Sequence, residues 1–121
     1  MPRLLLDEQQ VHPLIRDRLA SHHGDTVREV QQAVARDAVV VVGMRGNPFV
    51  RRARKALQRA GLEHTYLAYG SYVSQWRRRN ALKMWCGWPT LPMVFVKGVL
   101  VGGAEDLDRL LANGELRRML A

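Results

Sequence analysis

Residues 39 to 57, VVVVGMRGNPFVRRARKAL, carry the pattern with the most chemical content in this chain. Val39 to Val42 suit a strand buried on both faces, because β-branched residues fit a pleated surface and leave it no polar side. Gly43-Met44-Arg45-Gly46 breaks that run and permits a tight turn. Asn47 can then cap a helix, and Pro48 is pre-set for a first helical position, where its missing N–H costs nothing. A strand that ends at a helix N-terminus meets free N–H groups and the positive end of the helix dipole. This turn therefore predicts a site for an anion or an anionic nucleophile. The helix that follows adds Arg51, Arg52, Arg54, Lys55 and Arg59.

The remaining reactive side chains narrow the chemistry. Cys86 is the only cysteine, which excludes an intramolecular disulfide and a thiolate metal cluster built from one chain. His12, His22, His23 and His64 show no metal-ligand spacing, and His22-His23 falls in a polar connection. The formal charge of +8 comes mostly from arginine, the residue suited to bidentate contact with carboxylate or phosphate. Such a charge fits a solvated basic face, or an anionic partner: a small molecule, an acidic protein or a nucleic acid.

With 121 residues, 47% of them apolar and 25% charged, the chain suits one globular domain that buries its own core. No apolar run approaches the roughly 18 residues of a membrane span. The start, MPRLLLDEQQ, has too short an apolar patch for a signal peptide, so the expectation is a cytoplasmic protein with no membrane partner. Residues 1–24 read as an appended helix with Val11, Leu14, Ile15 and Leu19 on one face. Asp25 or Thr26 caps a second helix through Asp37, with Val27, Val30 and Val34 as its stripe.

A strand over 38–42 leads to the basic helix over 48–60, which turns Phe49, Ala53, Ala56 and Leu57 inward and ends at Gly61. A strand over 62–68 follows, then a helix from Ser71 to about Trp85 that carries Arg77, Arg78, Arg79 and Lys83. Residues 87–92, GWPTLP, read as an extended loop, since a residue before proline avoids the α region. Strands over 93–96 and 99–101 form a hairpin about Lys97-Gly98, and helices over 105–112 and after Asn113-Gly114 close the chain. This order predicts an α/β fold: a four-stranded mixed sheet with helices on both faces, parallel in its first β-α-β and antiparallel in its hairpin.

The chain resembles the glutaredoxins, a branch of the thioredoxin fold, and within them the monothiol class. The resemblance spans residues 26–120 and is strongest in Trp88-Pro89-Thr90-Leu91-Pro92, Val94-Phe95-Val96-Lys97-Gly98, Val101-Gly102-Gly103 and Asn113-Gly114-Glu115-Leu116. These follow the family pattern W-P-T-x-P…V-x-x-G…G-G-x-[DE]…G-E-L. Met44-Arg45-Gly46 is similar to the family's M-K-G, and Arg79 with Lys83 to its R-x-x-x-K. Residues 1–24 lie outside the resemblance as an N-terminal helical extension, and 25–121 form the glutaredoxin-like domain.

The resemblance implies a glutathione site. Arg45 and Arg79 take the places of a lysine and an arginine that meet the glycine carboxylate, each a charge-assisted contact. Asn47 and Phe49 stand in the active-site segment. Leu91, before a Pro92 that the family holds cis, would pair its backbone with the cysteinyl backbone of glutathione. Gly103-Ala104-Glu105 replaces the family's G-C-D, where a helix N-terminus takes the γ-glutamyl carboxylate and Glu105 faces its ammonium.

One departure changes the implied chemistry. The family's nucleophilic cysteine falls on Asn47, so that C-x-x-C or C-G-F-S becomes Asn47-Pro48-Phe49-Val50. Asparagine caps a helix but cannot attack a disulfide, and it removes the protein ligand of a family-type iron–sulfur cluster. The expected function is a non-catalytic glutaredoxin-like binding module, needing no cofactor and serving as a partner in redox or iron–sulfur homeostasis. Two other readings remain. One is an unconventional oxidoreductase that uses Cys86 or a partner thiol. The other, ranked last because few aromatics are available for base stacking, is a nucleic-acid or acidic-protein binder acting through the arginine-rich helix. The extension could fold back onto the domain or form a homodimer face.

Overall fold

The valine run forms a strand in the computed structural model, which describes residues 2–121; Met1, the first residue of the extension, lies outside the described residues. Strand β1 spans Val39–Gly43 and is buried at every position. It pairs in parallel with β2 (Thr65–Ala68) and antiparallel with β3 (Met93–Val96), and β3 pairs antiparallel with β4 (Val99–Gly102). The sheet order is β2-β1-β3-β4, the mixed four-stranded arrangement expected.

Two helical layers cover the sheet because alternate valines of β1 face opposite ways. Val40 and Val42 pack with Val30 and Ala33 of helix α2 (Gly24–Arg36) and Leu82 of α4 (Trp76–Cys86). Val39 and Val41 pack with Ala53 and Leu57 of α3 (Pro48–Arg59), Leu107 of α5 (Ala104–Ala112) and Leu116 of α6 (Glu115–Leu120). No helix among the described residues is long and apolar enough to cross a membrane.

Several local expectations need correction. The N-terminal extension is not one helix but a 3₁₀ turn at Glu8–Gln10 followed by α1 (Pro13–Ser21). Of its expected apolar face only Val11 is buried; Leu14, Ile15 and Leu19 are exposed. Neither Asp25 nor Thr26 caps α2. Their side chains instead accept from Arg78 Nη1 of α4, and the α2 entry is His23 in the left-handed region at φ 47°. The inward stripe of α3 is Val50, Ala53 and Leu57, while Phe49 is 56% exposed. Helix α4 begins at Trp76 rather than Ser71. Ser74 Oγ accepts from Ser71 N at 3.0 Å, and this local hydroxyl bond competes with helix formation.

Candidate functional site

Strand register brings three chain segments to one end of the sheet. Val42 lies opposite Met93, so the C-terminal end of β1 and its turn stand beside Pro92. Val94 lies opposite Gly102, which places Gly103 on the other side of the same proline. A Cβ built on Gly103 would sit 3.5 Å from Pro92 O and 3.7 Å from Trp88 Nε1. The Leu91–Pro92 peptide is cis, and both residues are buried.

Asn47 holds the centre of this end. Its Oδ1 accepts from Phe49 N at 2.8 Å and Val50 N at 3.1 Å, satisfying two of the donors that a helix start leaves free. Gly43 is required by the same turn, since a Cβ there would come within 2.6 Å of a Val50 methyl carbon. Arg45 and Phe49 are exposed on either side of Asn47. Ala104 is buried as the first residue of α5, and Glu105 is exposed, pairing with Arg109 at 3.3 Å across a solvated surface.

Arg79 is placed differently from the expectation that it meets a ligand carboxylate. It is 6% exposed, and its Nη1 donates to the carbonyl oxygens of Tyr69 (2.8 Å) and Ser74. The chain after β2 wraps over this guanidinium and uses it to satisfy its own carbonyls. The next links reach the site turn: Tyr69 N donates to Gly43 O at 2.9 Å, and Arg45 N donates to Gly70 O at 2.8 Å. Arg79 is thus a positioning residue for Arg45. Burial raises the Tyr69 phenol pKa above its usual value, and a short hydrogen bond to Glu29 adds to the shift.

The start of α5 also differs from a bare anion site. Asp106 Oδ2 accepts from Gly103 N at 3.0 Å, so the helix supplies one carboxylate to its own N-terminus. Trp88 Nε1 is buried with no hydrogen-bond partner among the described residues. Cys86 ends α4, half-buried, with Sγ 3.6 Å from Met93 Sδ and accepting from Trp88 N at 3.5 Å. No group of three or more His, Cys, Asp or Glu side chains among the described residues is placed to hold a metal ion.

Comparison with known proteins agrees with this arrangement. No family model matches the chain. The glutaredoxin-like protein of Dictyostelium discoideum is 44% identical over 96 residues, which cover 79% of this chain and 78% of that protein. The chain belongs to the glutaredoxin family. The mitochondrial monothiol glutaredoxin-5 of Schizosaccharomyces pombe is 30% identical over 100 residues, 78% of this chain and 68% of that one. Among solved structures, a buckwheat glutaredoxin–glutathione complex superposes with a TM-score of 0.71 at 23% identity, covering 86% of this chain and 91% of the other. That likeness describes the fold.

Sequence reasoning missed a second group on this glutaredoxin. Arg54 Nε donates to His64 Nε2 at 3.2 Å, and the Arg54 guanidinium lies 4.0 Å from the centre of the Tyr66 ring. Burial, and then the Arg54 charge, hold the His64 pKa below its usual value. The unfolded chain therefore takes up the proton first, near pH 6.5. The His64 contribution to stability is complete above that pH and is lost as pH falls through the folded pKa. Thermal melts between pH 7.5 and 5 are expected to show a steeper decline for the natural chain than for His64→Gln, which keeps an acceptor without the titration. Parallel declines would contradict this.

Proposed function

We propose that this glutaredoxin is a glutathione-binding module without a thiol nucleophile, which serves a protein partner in redox or iron–sulfur homeostasis. The observation that carries the reading is Asn47 at the α3 cap. Its Oδ1 holds Phe49 N and Val50 N, where thiol chemistry would need a sulfur. The chain's one thiol, Cys86, is half-buried against Met93 and Trp88 and starts no helix.

Glutathione would lie along the Leu91–Pro92 backbone, between the Asn47 turn and the start of α5. Arg45 offers its glycine carboxylate a charge-assisted hydrogen bond. Phe49 gives an apolar wall, and Gly103, Ala104 and Glu105 face the γ-glutamyl end. Arg79 acts from beneath, through the backbone that holds Arg45. The residues do not supply a family-type iron–sulfur ligand at Asn47, so no cluster is assigned to this chain.

Calorimetric titration with reduced glutathione is expected to show saturable binding, weakened about tenfold in Arg45→Ala, or about 1.4 kcal/mol. Absence of saturable heat would remove the pocket. The hydroxyethyl disulfide assay should show no turnover in either the natural chain or Cys86→Ser, and turnover lost with Cys86 would overturn the non-catalytic reading.

A further inference from the structure

Of the five basic side chains on α3, only Arg52 pairs with a carboxylate among the described residues, a feature that the glutathione reading does not use. Arg36, Arg52, Arg78, Arg109 and Arg118 each pair with a carboxylate. Arg45, Arg51, Arg54 and Lys55 form no such pair among the described residues, and together they line one cleft of about 370 Å³ between α3, its preceding turn and Tyr66. No acidic side chain among the described residues lines that cleft.

Keeping these cations together is unfavourable unless something neutralises them. Arg51 stands at i, Arg54 at i+3 and Lys55 at i+4, the spacings at which like charges on a helix repel. The protein nonetheless fixes the least movable of them. Arg54 is pinned between His64 Nε2 and the Tyr66 ring, which aligns its fork without consuming its charge. Asn47 also lines the cleft; its Oδ1 is spent on the helix cap, which leaves its amide N–H donors without a partner among the described residues.

We propose that this cleft binds a small ligand carrying two or more phosphate groups. Four cations in a few hundred cubic ångströms call for a compact charge of about three or four, which two phosphates supply and two carboxylates do not. Arginine forks match phosphate oxygens in bidentate geometry, and Lys55 adds a point charge. The proposal rests on α3 and β2 and stands whether or not glutathione binds; Arg45 and Asn47 are the residues common to both sites.

Calorimetric titration with inorganic pyrophosphate at low salt tests it, beside inorganic phosphate, ADP and a single-stranded oligonucleotide. One-to-one saturable binding of pyrophosphate, tighter than that of phosphate, is expected. It should weaken at least about tenfold in an Arg51→Ser/Lys55→Ser double variant, or about 1.4 kcal/mol. Arg52→Ser, on the same helix but paired with Asp108, should bind as the natural chain does, which separates a built site from bulk charge. ADP binding at least as tightly as pyrophosphate would identify a nucleotide as the ligand; weaker binding would restrict the site to smaller polyphosphates. No saturable pyrophosphate heat, or equal losses in Arg52→Ser and the double variant, would overturn the proposal. So would an oligonucleotide that binds more tightly than pyrophosphate with steep salt dependence. Glutathione titrated into the double variant keeps the two sites apart, since it should bind there unchanged.

Discussion

Replacing Arg79 with methionine is expected to destabilise the protein by about 2–4 kcal/mol, because the carbonyls of Tyr69 and Ser74 would lose their donor where water has little access. Methionine preserves much of the apolar stem, so lost packing contributes little to the difference. Urea unfolding of Arg79→Met against Arg77→Met isolates the effect, since Arg77 is exposed and only lies over the Trp76 ring. The Arg77 variant should fall within about 0.5 kcal/mol of the natural chain. Arg79→Lys should recover part of the loss, as one ammonium can reach a carbonyl but cannot reproduce the planar fork. A loss below about 1 kcal/mol for Arg79→Met would mean that water satisfies the two carbonyls. In that case Arg79 would be free to act as a ligand contact after all.

Arg79 also marks where the sequence stops being informative. Asn47-Pro48 could be read because cap chemistry is local: the acceptor, the proline and the donors it serves lie within four residues. The buried valines were legible for a similar reason, since four β-branched residues in a row leave little but a covered strand. The burial of Arg79 depends instead on how residues 69–75 fold over it, and the two serines there move the start of α4 five residues beyond the expected Ser71. The exchange of Phe49 for Val50 on the inner face of α3 has the same origin. A helical stripe fixes spacing, but the direction in which the chain enters fixes its phase, and that is set by the close approach of Gly43 to Val50. The Arg54–His64–Tyr66 group needs the register Val41 opposite Tyr66 before its members can meet, and no short motif encodes that pairing.

Conversion of Asn47 to cysteine in a Cys86→Ser background should create a thiol whose pKa falls from the usual value of about 8.5 to about 7 or below. Two backbone donors already converge on the side chain at this position, at 2.8 and 3.1 Å, and a thiolate would accept from the same N–H groups. Arg45 and Arg51 line the adjacent cleft and favour the anion further. The pH dependence of iodoacetamide alkylation gives the pKa directly, because the variant holds one thiol. Loss of the asparagine cap should cost about 1 kcal/mol of stability, an amount the fold can bear. Turnover with hydroxyethyl disulfide should then appear where Asn47→Ser, a capping residue without a thiol, has none. In that reaction the thiolate attacks one sulfur of the substrate disulfide, forming a mixed disulfide and releasing a thiol. Glutathione next attacks the substrate-derived sulfur of that mixed disulfide, releasing the enzyme thiol and forming a glutathione–hydroxyethyl mixed disulfide. A second glutathione attacks the glutathione sulfur of that species, giving oxidised glutathione and releasing the second hydroxyethyl thiol. A pKa near 8.5 with no turnover would show that the turn has lost the polarising geometry of its family and not only the sulfur. A low pKa without turnover would place the defect at the proposed glutathione pocket, since the nucleophile would be present and glutathione unheld.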